Sequence, residues 1–470
     1  MPKHLPLTLA LAASLLGGCS FMPDYFRPTA PIPAQWPETA RAEGARLAER
    51  LDWQDYFPDE RLQALIAAAL EHNRDMRIAV ARVDEARALY GIQRADRLPT
   101  INASASENAS RSPGDLLPGG DSTVSRRYDV NLGMLAFELD FWGRVASLSE
   151  AARASYLATE EAQRAFRLSL IASVADGYLS LKEAEERATL ARQTLDARAE
   201  TLRLVAKRRE VGLAGDLDYL QAEGAFQSAR AELASLERQR AVAQNFLQAL
   251  VGTDRPDWPK GRSLTDQGIV PDLAAGLPSE ILTRRPDVLA AEQRLMAANA
   301  NIGAARAAFL PRISLTAAAG TASRALSGLF EGGSRAWSFQ PTMSLPLFDF
   351  GRTSANLDLA SARKVIAVAE YEKVIQQAFR EVADLLAARE KLAEQLAAQD
   401  AFEKTQRQRL VLAEARYNNG IASFLEVLDA QRDEFSAQQG VIQTRRNLLS
   451  VAAQLYKALG GGAQMEAVKS

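Results

Sequence analysis

Phe141-Trp142-Gly143-Arg144 and, 208 positions later, Asp349-Phe350-Gly351-Arg352 open two matching runs of this chain. Gly212-Leu213-Ala214, followed by Leu217 and Leu220-Gln221-Ala222, closes the first run. Gly420-Ile421-Ala422, followed by Leu425 and Leu428-Asp429-Ala430, closes the second at the same offset of 208. Each run is about 67 residues long, neither contains a proline, and Gly177 is the only glycine in either. A stretch of that length without a breaker reads as one helix, roughly 100 Å long at about 1.5 Å per residue. Two copies predict an elongated, pseudo-symmetric helical body. Each run then turns back on itself, 144–210 into 216–251 and 352–418 into 421–459. The turns are Val211-Gly212-Leu213-Ala214-Gly215 and Asn418-Asn419-Gly420, and their Gly and Asn residues suit a left-handed helix C-cap. Two antiparallel helical hairpins follow, rich in Ala, Leu, Glu, Gln and Arg as coiled coils are.

Ahead of each hairpin the periodicity changes. Residues 62–97 have apolar positions at helical spacing (Leu62, Leu65, Ile66, Ala69, Leu70) and stop at Leu98-Pro99. Then Ile101, Ala103 and Ala105 alternate with Asn102, Ser104 and Ser106. After a Pro- and Gly-rich loop at 111–123, Tyr128, Val130, Leu132 and Met134 alternate with Asp129, Asn131 and Gly133. The second half repeats the pattern. Ile313, Leu315 and Ala317 precede a Gly-rich loop, and Trp337, Phe339, Met343 and Leu345 alternate with Ser338, Gln340, Thr342 and Ser344. These segments predict β-hairpins at about 100–140 and 312–348. Each strand has about the 9–11 residues of a tilted transmembrane strand, with aromatics near the strand ends (Tyr128, Phe137, Trp142, Trp337, Phe348, Phe350). Alternation alone also describes a half-buried soluble hairpin. In a membrane, four strands cannot close a barrel, and an open edge would leave backbone groups unpaired, so other copies must complete it. Two copies supply eight strands and three supply twelve. Eight fill their own interior, so a conduit favours three, although periodicity alone leaves a dimer open.

The composition narrows the functional classes. Of 470 residues, 47% are hydrophobic, and the net charge of −2 is spread in both signs, which argues against nucleic acid as a partner. There are two histidines, His4 and His72, and one cysteine, Cys19. A disulfide within the chain and a Cys/His metal cluster are excluded, and His-based catalysis would rest on His72, which lies in a polar stretch. No cofactor is expected beyond covalent lipid.

The N-terminus reads as an address. Lys3 precedes an apolar stretch of about 12 residues (5–16), too short to span a bilayer, which needs about 20. Leu16-Gly17-Gly18-Cys19 resembles the lipobox of bacterial lipoproteins. That resemblance implies cleavage before Cys19, acylation of its amine and thiol, and, with Ser20 next, sorting to the outer membrane. The remaining organisation reads as a signal peptide at 1–18, a proline-rich extended leader at 19–60 and a first repeat at 61–252. A connector at 253–278, a second repeat at 279–459 and a flexible tail at 460–470 complete it.

Several motifs resemble one family. Gly276-Leu277-Pro278-Ser279-Glu280-Ile281-Leu282 with Arg284-Arg285-Pro286-Asp287 is similar to the mid-chain motif of the outer membrane factors, the TolC-like channels. So are 304–311 and Tyr417-Asn418-Asn419-Gly420 through Leu428-Asp429-Ala430-Gln431-Arg432. The lipobox with Pro23-Asp24-Tyr25-Phe26-Arg27-Pro28 resembles the lipoprotein branch, the OprM/NodT type. The resemblance spans about 19–460. It implies a homotrimer with a twelve-stranded outer-membrane barrel and a periplasmic α-barrel tunnel that exports drugs or other small molecules. Its partners would be a periplasmic adaptor and an inner-membrane pump of the RND class. The adaptor would dock at the helical turns, here Val211, Gly212 and Leu213 with Asn419, Gly420 and Ile421.

Leu425, Glu426, Asp429 and Arg432 stand at spacings of three and four, on one helical face. In a symmetric trimer such a face can meet its copies at the axis, where carboxylates attract cations and Arg432 eases their repulsion. Acids in a first helical turn also simply complement the helix dipole. The resemblance favours a gate at the periplasmic mouth. The first repeat matches in part: Leu217 and Asp218 stand opposite Leu425 and Glu426, but Gln221 faces Asp429 and Gly224 faces Arg432. An asymmetric constriction is therefore expected. Two other classes compete. One is a coiled-coil periplasmic adaptor, which would carry one hairpin flanked by β-rich domains, or a structural envelope lipoprotein. A carboxylate enzyme needs an acid pair in a cleft, and no motif marks one.

Overall fold

A computed structural model describes residues 20–33, 35–36, 46–47, 51–254, 257–269, 273–274 and 284–461. Cys19, the signal segment, Gly276 to Leu282 and the tail from 462 lie outside the described residues. The helices are α1 (Trp53–Tyr56), α2 (Glu60–His72), α3 (Arg74–Ala95), α4 (Arg144–Glu210), α5 (Asp216–Val251), α6 (Pro286–Ala307), α7 (Arg352–Asn418) and α8 (Phe424–Ala458). The strands are β1 (Arg46–Leu47), β2 (Ile101–Ser112), β3 (Thr123–Glu138), β4 (Leu273–Ala274), β5 (Arg312–Ser323) and β6 (Arg335–Ser344). α4 and α7 are each 67 residues long, as the breaker-free runs predict.

The sequence reading is corrected at two helix boundaries. The stretch 62–97 is not one helix. The chain breaks at Asn73, whose backbone is extended, and the Asn73 side chain accepts the Met76 amide at 2.9 Å to start α3. A polar N-cap residue outweighs the apolar periodicity on either side of it. The last helix begins at Phe424 rather than 421, because the left-handed Gly420 is followed by an extended Ser423 before helical geometry resumes.

The chain forms two compact units. One holds the described residues through Thr29 with Arg82–Glu160 and Ala290–Tyr371; the other holds Ala30–Ala81, Glu161–Leu289 and Glu372 onward. Each draws on both sequence repeats.

The first unit is built on one antiparallel sheet in the order β2-β3-β5-β6, so the two predicted hairpins join through β3 and β5. The register gives the sheet two chemically different faces. Ala103 stands opposite Leu132, Leu132 opposite Ala319, and Ala319 opposite Trp337. Ile101, Met134, Ala317 and Phe339 form the next such row, and Phe137, Leu315 and Pro341 continue the apolar face. The other face carries Ser104, Asn131, Gly320 and Ala336, then Asn102, Gly133, Ala318 and Ser338; Ser104 Oγ donates to Asn131 Oδ1 at 2.9 Å. The apolar face is exposed, with Trp337 at 81% and Leu132 at 61%. Among the described residues, no strand pairs with the outer edge of β2 or of β6.

Strand gives way to helix through paired side chains. Glu138 takes a bidentate contact from Arg144 at 2.7 and 2.6 Å, and the Asp140 carboxylate accepts the Val145 and Ala146 amides at the start of α4. Asp349 does the same for α7, accepting from the Thr353 amide at 2.8 Å. The leader lies on α6. Glu292, 3% exposed, accepts from Tyr25 Oη at 3.0 Å and from Arg27 at 2.7 and 2.8 Å, and Asn299 donates to the Pro23 carbonyl at 2.7 Å. A Cβ at Gly303 would stand 2.8 Å from Met22 Cα, so only glycine allows this approach.

The second unit has its core where α1 and α2 meet the long helices. Tyr56 and Tyr456 stack with ring centroids 4.7 Å apart, and their hydroxyls donate to the Ala452 and Leu51 carbonyls, both at 2.9 Å. Phe57, Leu62, Ile66, Tyr178 and Val382 fill in around them, all fully buried. Burying each such side chain contributes about 1.5–3 kcal/mol. Leader and connector also meet, as β1 pairs in parallel with β4.

Two polar knots tie this unit. Asp59, 1% exposed, caps α2 through the Arg61 amide and accepts from Tyr178 Oη (2.8 Å), the Arg262 amide (2.9 Å) and Gln267 Nε2 (3.1 Å). Arg285 of the mid-chain motif holds Asp287 at 2.7 Å, Glu381 of α7 at 2.9 Å and the Ala458 carbonyl at the end of α8 at 2.9 Å. The motif thus joins the start of α6, the middle of α7 and the end of α8.

Candidate functional site

The two turns are the same to the hydrogen bond. In the first, the Gly212 amide donates to Arg209 O at 3.0 Å and Leu213 to Arg208 O at 2.7 Å. In the second, Gly420 donates to Tyr417 O and Ile421 to Arg416 O, both at 2.9 Å. The bond spanning five residues satisfies carbonyls that the helix end leaves open. It requires the glycines at φ +75° and +72°. Val211, Leu213 and Ile421 are 68%, 70% and 69% exposed. These apolar side chains stand exposed at the helix ends.

Behind the turns the two hairpins pack together. Val205 and Ala222 of the first meet Ala413, Phe424, Val427 and Ala430 of the second. Arg208 Nη1 donates to Tyr417 Oη at 3.0 Å, and Tyr417 leans on Phe424 at 5.4 Å. Arg209 pairs with Asp216 at 2.7 Å and lies 4.8 Å over the Tyr219 ring.

α8 is therefore two-faced. Phe424, Val427 and Ala430 are buried, while Leu425, Glu426 and Arg432 are exposed and Asp429 is half-buried. The structure brings Arg432 to Asp429 at 3.2 Å, as the spacing predicts. It places Glu426 instead near Arg416, at 3.9 Å. Sequence reasoning missed Asp433, the firmer partner of Arg432 at 2.9 Å, which also accepts from Arg409 of α7 at 2.7 Å. Arg409 first and Arg432 second hold the Asp433 carboxyl below the usual range. The spacing 426, 429, 433 continues the same helical face and was the available signal. In the first repeat, Leu217 is exposed, Asp218 and Gln221 are half-buried, and the space beside Gly224 is open. That helix start has no counterpart of Arg432.

Among the described residues, no group of His, Cys, Asp and Glu could hold a metal ion, and no helix is long and apolar enough to cross a membrane.

Known proteins resemble this chain over nearly its whole length. The family described as outer membrane efflux protein matches residues 65–253 and 277–461. Outer membrane protein OprJ of Pseudomonas aeruginosa is 47% identical over 96% of this chain and 95% of its own length. The toluene efflux pump outer membrane protein TtgI of Pseudomonas putida is 46% identical over 98% of each. The open state of the Neisseria gonorrhoeae MtrE outer membrane channel superposes with a TM-score of 0.88, at 40% identity, over 95% of this chain and 99% of that one. The chain belongs to the outer membrane efflux protein family. It is a channel of the bacterial outer membrane and not an enzyme, so the adaptor and carboxylate-enzyme alternatives fall.

Proposed function

We propose that the chain works as a passive homotrimeric duct, anchored in the outer membrane by lipid on Cys19, with an acidic gate at its periplasmic mouth. The observation that carries this reading is the sheet. It has four strands, one face with apolar central rows, an opposite face of small and polar groups, and two edges that no strand among the described residues pairs. Lipid suits the first face and water the second, and the edges need further copies. Three copies make twelve strands and leave a lumen.

The exposed apolar turns (Val211, Gly212 and Leu213; Asn419, Gly420 and Ile421) are the docking tips for a periplasmic adaptor, which would link the duct to an inner-membrane RND pump. Relatives named as outer membrane proteins of toluene and antibiotic efflux pumps support small, largely apolar cargo. Leu425, Glu426, Asp429 and Arg432 form the gate, with Asp433 and Arg409 holding Arg432 and α8 in place. With few groups in a wide lumen, the duct sets passage and the pump sets selection.

Single-channel conductance in planar bilayers tests the gate. The wild type is expected to give a small, cation-preferring conductance that rises severalfold in the Glu426→Ala, Asp429→Ala double variant. An unchanged conductance would move the gate elsewhere and leave these acids as complements of the helix dipole. No conductance from folded oligomer of either form would remove the duct reading.

A further inference from the structure

Above the turns, α4, α5 and α8 enclose a crevice of about 320 Å³. Small residues make the space. Ala191 on α4 and Ala229 on α5 are buried at its floor, beside a packed cluster of Ala188, Leu236 and Phe435. A volume near the lower end of small-molecule pockets, about 300–1,000 Å³, admits a single ring with one polar substituent.

Its walls are charged unevenly. Arg198 and Arg432 line it together with one carboxylate, Glu232. Arg432 already has Asp429 and Asp433. Arg198 has no acidic partner within ion-pair distance among the described residues. Its Nη1 donates to the Ala225 carbonyl at 2.9 Å, and its Nε is buried without any partner. Burial lowers its pKa, the mark of a guanidinium short of a counter-charge. A half-buried guanidinium without an acid is unfavourable, and a carboxylate reaching its outer nitrogen would supply the missing charge. Phe435 offers an apolar wall to the rest of such a ligand.

We propose that this crevice is a binding site for a small aromatic monocarboxylate, with its carboxylate on Arg198 and its ring against Phe435. A single negative charge matches Arg198, which has no ion pair among the described residues; a phosphate or dicarboxylate would also meet Glu232. An occupant touches α4 and α5 of the first hairpin and α8 of the second, so it would also tie the hairpins together. The crevice shares Arg432 with the proposed gate, but Arg198 and Phe435, the residues that would hold the ligand, lie outside it.

The test is calorimetric titration of benzoate into the full-length protein in detergent. Saturable binding of one benzoate per chain is expected. Arg198→Met should weaken it about tenfold or more, the loss of a charge-assisted pair. Arg61→Met should leave it intact, since Arg61, which also has a buried unpartnered Nε, lines a different cavity. Should Arg198→Met fail to fold, Ser436→Trp at the exposed rim carries the test by filling the crevice. No saturable binding, binding that survives both crevice variants, loss in Arg61→Met instead, or equal affinity for uncharged benzamide would each overturn the proposal.

Discussion

Asp59 shows how much one side chain can organise. Burial alone would raise its pKa, but the donors from Arg262, Tyr178, Gln267 and Arg61 outweigh that and hold its carboxyl below the usual range. A carboxylate with a depressed folded-state pKa contributes stability above its unfolded value of about 3.9, and that stability is lost as pH falls through the folded value. Melting temperature should therefore drop in acid below about pH 4, and Asp59→Asn should flatten the drop. At neutral pH the same variant should be about 1–3 kcal/mol less stable, because buried donors lose their acceptor. An unchanged acid limb in Asp59→Asn would assign the drop to other carboxylates. Nothing in the sequence marks Asp59 beyond its place before Glu60. Its partners come from positions 178, 262 and 267, and only folding assembles them.

At the scale of elements, the long helices were legible almost to the residue, because a run without Pro or Gly has no competing local conformation. The turns were legible for a related reason. Their glycines are needed for backbone geometry alone, since nothing lies within 4 Å of where a Cβ would stand at Gly212 or Gly420. Gly212→Ala and Gly420→Ala should each destabilise the tip by about 1–2 kcal/mol. Asn at either site should be tolerated better. Hydrogen exchange of the Leu213 and Ile421 amides reads this directly: faster exchange is expected in the alanine variants, and unchanged protection would mean the left-handed cap contributes nothing. The sequence-only reading failed at Asn73 and at the start of α8, where one capping side chain or one extended residue displaces a boundary that apolar spacing does not see.

For the whole molecule, the open edges of β2 and β6 make the strongest demand. Four amphipathic strands with unpaired edges are unstable in lipid as a single chain. Native mass spectrometry of detergent-extracted protein is expected to give the mass of three chains. Two chains would imply an eight-stranded barrel too narrow for a lumen, and a conducting single chain would overturn the assembly. The two compact units cut across the two sequence repeats. A repeat is a unit of sequence, whereas a unit of folding is set by which strands and helix ends pack together.

What the sequence determined by itself was local: two 67-residue helices, their glycine caps, four alternating strands and the acidic face of α8. Each follows from a period or a breaker within a few residues. What only the tertiary structure decided was partnership. It joined the hairpins through β3 and β5, set the leader on Glu292, gave Arg432 to Asp433 as well as Asp429, and left the Arg198 Nε unpartnered among the described residues, beside a crevice between three helices. Those pairings join residues far apart in the chain or depend on which rotamer packing allows, and no local periodicity encodes them.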